Sequence, residues 1–142
     1  MTDNQLVFRT GGEVEIGELL EFWARSGENH NRPTDTEELV KQLVDKDPES
    51  LIIAELDRRI VGTIIAGWDG WRANLYRLAV DPEYRGRGIA RLLLERAETR
   101  LRDLGATRFH AMVLSQNDEG IAAWAAMGYH PQDEWTRWVK PA

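Results

Sequence analysis

The segment Val80-Asp81-Pro82-Glu83-Tyr84-Arg85-Gly86-Arg87-Gly88-Ile89-Ala90 holds the residues best suited to chemistry. A β-rich run ends in Asp-Pro, a loop with two arginines and two glycines follows, and a helical pattern begins at about Ile89. A helix N-terminus presents backbone N–H groups without helical acceptors at the positive end of the macrodipole, so it attracts anions. Gly86 and Gly88 carry no Cβ to hold an anion off those groups. Arg85 and Arg87 add charge-assisted donors. The ligand this pattern suits is a phosphate or pyrophosphate. The plain alternative is a polar strand-to-helix turn with two solvated arginines. A dinucleotide fingerprint fits poorly, because Arg91 stands where it needs Gly or Ala, and the Gly-Lys-Ser/Thr of a Walker loop is absent.

The chain that must position this loop has 142 residues, 42% of them hydrophobic and 30% charged, as expected of one globular domain over 1–142. There is no cysteine, which excludes disulfides, thiolate metal sites and a cysteine nucleophile. A net charge of −6 argues against nucleic acid as a partner. No apolar run approaches a membrane span of about 20 residues. The first residues show no signal-peptide pattern, so a cytoplasmic protein is expected. His30, His110 and His130 lack metal-ligand spacing, and no metal is expected.

Periodicity and turn signals give the coarse order of elements. A strand at 6–9 precedes a helix carrying Ile16, Leu19, Leu20 and Trp23 at helical spacing. A polar loop leads to Thr34-x-x-Glu37, read as a capping box, and to a second helix with Leu39, Val40 and Leu43 on its apolar side. Strands at 51–56, 60–68 and 73–80 form an antiparallel meander, with Asp57-Arg58 and a two-residue Asp69-Gly70 hairpin as turns. A helix from about 88 to 104 buries Ala90, Leu93, Leu94, Ala97, Leu101 and Leu104, with Gly105 as its stop. A strand at 108–114, a short helix opened by Asn117 or Asp118, and a last strand at 135–140 complete the chain.

Arg85-x-x-Gly88-x-Ala90 resembles motif A of the GNAT N-acetyltransferase superfamily, Arg/Gln-x-x-Gly-x-Gly/Ala, here preceded by Leu78-Ala79-Val80-Asp81-Pro82. Asn117, followed by Trp124-Ala125-Ala126-Met127-Gly128-Tyr129, resembles its motif B. The resemblance implies an α/β (α+β) fold. Its central sheet is mixed and mostly antiparallel, with six to seven strands, about four flanking helices and a splay between strands four and five. It implies an acetyl-CoA-dependent acyltransferase in which the pantetheine arm pairs with the backbone of Leu78, Ala79 and Val80. The pyrophosphate would sit on the N–H groups of Arg85, Gly86, Arg87, Gly88, Ile89 and Ala90. Asn117 matches a position that often contacts the cosubstrate, and a simple helix N-cap is an equal reading. Acetyl-CoA is the expected cosubstrate and an amine-bearing molecule the acceptor, with the protein a monomer or homodimer.

The reaction implied is direct attack of an amine on the thioester, with Val80 N–H as oxyanion donor. The sequence departs from the family at three places. Asn74, Met112 and Trp124 stand where some members carry a carboxylate base, a glutamate and a tyrosine acid. Tyr76, on a strand face with Asn74 and Leu78, is the catalytic candidate beside Val80, and His110, Tyr129 and Asp69 are others. Each of these four side chains, Tyr76 included, reads first as a packed or turn residue. Of six tryptophans, Trp23, Trp124, Trp135 and Trp138 read as core, and Trp68 and Trp71 as a pair across the hairpin. The missing acid and base leave open a non-catalytic acyl-CoA sensor or interaction module. Segments 26–33 and 130–134 are the expected acceptor walls.

Overall fold

The computed structural model describes residues 5–27, 29 and 33–142. His30 and much of the expected 26–33 wall therefore lie outside the described residues. The chain forms two compact units, a larger one ending at Met112 and a smaller one, Val113–Ala142.

In the larger unit β1 (Val7–Thr10), β2 (Leu51–Leu56), β3 (Arg59–Trp68), β4 (Ala73–Val80) and β5 (Phe109–Ala111) form one sheet in that order. The first three pairings are antiparallel and β4–β5 is parallel. A parallel neighbour needs a crossover, and α3 (Ile89–Leu104) provides it. Helices α1 (Ile16–Ser26) and α2 (Glu37–Lys46) separate β1 from β2.

The helices cover opposite faces of the sheet. Successive strand residues point to opposite sides. A Cβ placed on Gly62 would meet Leu93 and Ile89 of α3 at 2.9 and 3.0 Å. Its neighbour Thr63 instead accepts a hydrogen bond from the Trp23 indole of α1 at 2.9 Å. Leu19, Phe22, Trp23, Val40, Leu51, Ile53, Ile60, Ile65 and Ala79 form the core on the α1–α2 side. Both faces being covered explains why β2 and β3 read as near-continuous apolar runs.

Local chemistry sets the boundaries. The α1 N-terminus is capped by the Glu15 carboxylate, which accepts from Gly17 and Glu18. The cap of α2 is Thr36, not Thr34: its hydroxyl accepts from Leu39 N–H at 3.2 Å. Leu39 and Leu104, expected in the core, are 52% and 44% exposed. The β3–β4 loop also differs from expectation. Trp68 pairs with Ala73, so four residues, 69–72, connect the strands. The Asp69 carboxylate draws in the amides of Trp71 and Arg72, which lengthens the turn. Trp71 consequently lies in the loop beneath the Arg72 guanidinium rather than across from Trp68.

The smaller unit contains α4 (Asp118–Ala126), capped by Asn117, with Trp124 and Tyr129 packed edge-to-face at 4.8 Å. No strand forms over 135–140, so the sheet has five strands among the described residues, not six to seven. Trp135 and Trp138 are 75% and 91% exposed, not core. Three residues apart, they would point to opposite faces of a strand and cannot share one buried side.

Candidate active site

Strand β4 gives way to Asp81, whose N–H donates to Val61 C=O at 2.8 Å and whose buried carboxylate accepts from Glu83 N–H at 3.0 Å. One 3-10 turn, Pro82–Tyr84, leads into Arg85, Gly86, Arg87 and Gly88, all exposed. Gly86 and Gly88 have φ of +80° and +81°, where an L-residue is strained, and a Cβ at either would project into open space. The two glycines are therefore demanded by backbone conformation, and the space above them is free for a ligand.

The helix that follows differs from its neighbours at this end. The first helical bond of α3 runs from Leu92 N–H to Gly88 C=O at 3.1 Å, so the amides of Ile89, Ala90 and Arg91 precede any helical acceptor. No side chain caps α3 and no acidic residue lies in its first turn. Helices α1, α2 and α4 are capped by Glu15, Thr36 and Asn117. Ile89 is buried and anchors the turn, while Arg87 lies over the Tyr84 ring at 4.9 Å.

Strand β4 itself is irregular. Thr63 pairs with Ala79 and Ile65 with Tyr76, so three steps on β4 match two on β3. The extra residue is a bulge at Arg77, whose φ is +52°. The bulge breaks the expected alternation of Asn74, Tyr76 and Leu78. Register places Tyr76 and Ala79 opposite Ile65 and Thr63, on the α1–α2 face, and Leu78 off that alternation. Beyond the bulge, Asp81 N–H bonds β3, so Val80 turns its N–H and C=O to the other edge of β4. The Arg85 Nε–H reaches that carbonyl at 3.3 Å. Ala79, by the same alternation, faces β3. Pairing with β5 on the outer edge covers only Ala73, Asn74 and Leu75.

A network of five side chains, buried at Trp23 and Thr63, backs the bulge, and its connections were not anticipated from the sequence. Trp23 Nε1–H donates to Thr63 Oγ1 at 2.9 Å, and the Thr63 hydroxyl donates to Arg77 C=O at 2.8 Å. The Arg77 guanidinium, its side chain 6% exposed, pairs with Asp35, donates to Asn29 Oδ1 at 3.0 Å and lies over the Trp23 ring at 5.1 Å. Partners 42 residues apart leave no signal in one sequence.

The other candidates separate cleanly. Arg108 Nε–H can only donate, so His110 Nε2 accepts it at 3.1 Å and Nδ1–H donates to Ala73 C=O at 2.8 Å. Both ring nitrogens are thus engaged. The Asp69 carboxylate is held by its own turn, and the amides of Arg72 first and Trp71 next keep it below its ordinary pKa of 3.8. Tyr76 is 50% exposed and Met112 58%. Asn117 Oδ1 accepts from Gly120 N–H at 3.0 Å, the helix-cap reading. No group of three or more His, Asp or Glu among the described residues could hold a metal. No described helix is long and apolar enough to cross a membrane.

The model of the acetyltransferase (GNAT) family matches residues 16–129, which include β4, the glycine loop and α3. The chain belongs to the GNAT acetyltransferase family. An acetyltransferase of Yersinia pestis is 37% identical over 103 residues, covering 72% of this chain and 73% of that protein. One from Sodalis glossinidius is 35% identical over 120 residues, covering 84% and 83%. The GNAT fold recurs in an aminoglycoside acetyltransferase from an uncultured soil metagenomic sample. Its TM-score is 0.77 at 16% identity, covering 99% of this chain and 98% of that one. Naa20 of Chaetomium thermophilum gives 0.72 at 24% identity, covering 87% and 70%. As a GNAT member with relatives named for the activity, the protein is an acetyltransferase.

Proposed function

We propose that this acetyltransferase binds acetyl-CoA along the outer edge of β4 and on the α3 N-terminus, and acetylates a primary amine on a small molecule or a protein N-terminus. The observation that carries the reading is the uncapped, glycine-lined α3 N-terminus, placed one turn after a strand whose outer edge has lost its β5 partner. The amides from Arg85 to Ala90 suit a pyrophosphate, and Arg85 and Arg87 add charge. The outward backbone of Val80, with Leu78, suits the amides of a pantetheine arm. Ala79 supports that edge from the β3 side. Asn117, as the cap of α4, belongs to the reading only through its motif match.

Acetyl-CoA supplies an activated acyl thioester. Direct attack by a bound amine requires a polarised carbonyl, a neutral amine and proton removal. Val80 N–H is the donor we assign to the carbonyl oxygen. Tyr76, half-exposed on the α1–α2 face three residues before Ala79 resumes the register with β3, is the side chain we assign to proton transfer, directly or through water. It is favoured because two turn amides hold Asp69 Oδ1 and keep its carboxyl a weak base, and both ring nitrogens of His110 are engaged.

The test is calorimetry with acetyl-CoA on the wild type and on Gly88→Ala and Gly88→Glu. Both variants carry the cost of a positive φ, and only Glu adds a carboxylate against the phosphates. The expected result is weakened binding with Ala and none with Glu in proteins that still melt cooperatively. Wild-type affinity in folded Gly88→Glu would overturn the reading. Release of free CoA over many turnovers with a panel of amines separates an enzyme from a sensor.

A further inference from the structure

The geometry points to Arg77 and Thr63 as positioning residues that set the shape of the β4 edge, and through it the affinity for acetyl-CoA. The inference rests on the reading that this edge receives acetyl-CoA. A bulge with a positive φ at a non-glycine residue persists only where its surroundings hold it. Here they hold it from both ends of one residue. The main chain of Arg77 is fixed by the Thr63 hydroxyl, which the Trp23 indole orients from the other side. Its side chain returns over the same indole and closes a circuit of three residues from α1, β3 and β4. From there the guanidinium reaches Asp35 and Asn29.

The surroundings make room for this route. A Cβ on Gly27 would fall 2.7 Å from Arg77 Nη1, so the end of α1 leaves room for the guanidinium. Asn29 Nδ2 donates to the carbonyls of Trp23 and Gly27, both at 3.1 Å, so the group that receives Arg77 is itself tied to the α1 C-terminus. The two partners flank the stretch 30–32 in sequence, so one cation holds the bulge against the chain on both sides of it. Without the bulge, β4 would keep straight register with β3. Val80 would then take the place of Asp81 opposite Val61 and turn its N–H inward. Arg77 acts on the cosubstrate only through this backbone choice and touches none of the reacting atoms.

The experiment compares Thr63→Val, Thr63→Ser, Asp35→Asn and Gly88→Glu by acetyl-CoA calorimetry and thermal melting. Valine keeps the shape of threonine and removes the hydroxyl, and serine keeps the hydroxyl. The expected result is a rise in Kd of about tenfold for Thr63→Val, the scale of one lost hydrogen bond, and recovery to within about twofold for Thr63→Ser. Asp35→Asn, partly exposed, is expected to raise Kd several-fold in a folded protein even if Thr63→Val fails to fold. Wild-type Kd in both Thr63→Val and Asp35→Asn, with Gly88→Glu unable to bind, overturns the inference and leaves the cosubstrate site standing. Loss of melting temperature in parallel for Val and Ser, with Kd unchanged, assigns Thr63 to stability alone and also overturns it. A wild-type protein that binds no acetyl-CoA overturns the underlying reading.

Discussion

At Asp69 a single carboxylate oxygen accepts from the amides of Trp71 and Arg72 at 2.7 and 2.6 Å, and this decides what the residue can do. Both bonds favour the charged form and hold the carboxyl below 3.8, which makes it a poor proton acceptor near neutral pH. A depressed folded-state pKa means that its contribution to the turn is complete above the unfolded value and is lost as pH falls through the folded one. On acid titration by NMR, the amide protons of Arg72 and Trp71 should move together with a midpoint below 3.8. A midpoint at or above that value would mean that the turn is not closed by Asp69 in solution. His110 is disarmed differently, by a donor two residues before it and a carbonyl from the next strand. In both cases a polar residue of the right type for catalysis is engaged in holding local structure.

Among the elements, α3 carries the N-terminus that we propose receives the pyrophosphate, and it must be held rigidly against the sheet. Leu93 and Leu101 are fully buried, and Leu93 packs where Gly62 of β3 leaves it room. Burial of such a leucine is worth about 1.5–3 kcal/mol, and removing it adds the cost of a cavity. Leu93→Ala should therefore lose about 2–5 kcal/mol of stability in urea unfolding. A loss under about 1 kcal/mol would show that α3 re-docks easily and is no fixed platform for its N-terminus. On the outer face of the helix, Glu98 and Arg102 close an i,i+4 pair at 3.6 Å, an exposed contact worth only a few tenths of a kcal/mol.

For the molecule as a whole the reaction turns on how a cationic amine becomes a nucleophile. Asn74 and Met112 cannot accept a proton, and the carboxylate of Asp69 and the imidazole of His110 are committed. With ordinary pKa values of about 10.4 for a lysine amine and about 7.7–8.0 for an α-amine, deprotonation at pH 7 costs roughly 3.5 kcal/mol more for lysine. That is a factor of several hundred in reactive amine, so an α-amine or another amine of low pKa is the expected acceptor. The measurement is kcat/KM at pH 7 for α-amine and ε-amine versions of one peptide. A clear preference for the ε-amine would refute the expectation and require a base that burial or a neighbouring charge has tuned. The net charge of −6 adds a general attraction for cationic acceptors without selecting among them.

Much of this was legible in the residues because it depends on neighbours a few positions apart. Gly88 and Gly105 bracket α3 because each lies in the left-handed region that glycine tolerates, and a 3.6-residue apolar period fills the span between them. The meander of β2, β3 and β4 followed from three apolar runs separated by turn residues, and the glycine loop with positive φ at Gly86 and Gly88 was legible for the same local reasons. The bulge at Arg77 left no such mark. Its hydroxyl donor is 14 residues away, its carboxylate 42, and the indole that orients the hydroxyl 40 from it, so only closure of the fold brings them together. Strand number was decided the same way. A strand exists only where a partner offers its ladder, and 135–140 has the residues of a strand without one among the described residues. Sequence determined the glycine loop and the helix that begins at its end. Tertiary structure decided which backbone groups beside that loop turn outward, because that depends on hydrogen bonds between residues the chain itself keeps far apart.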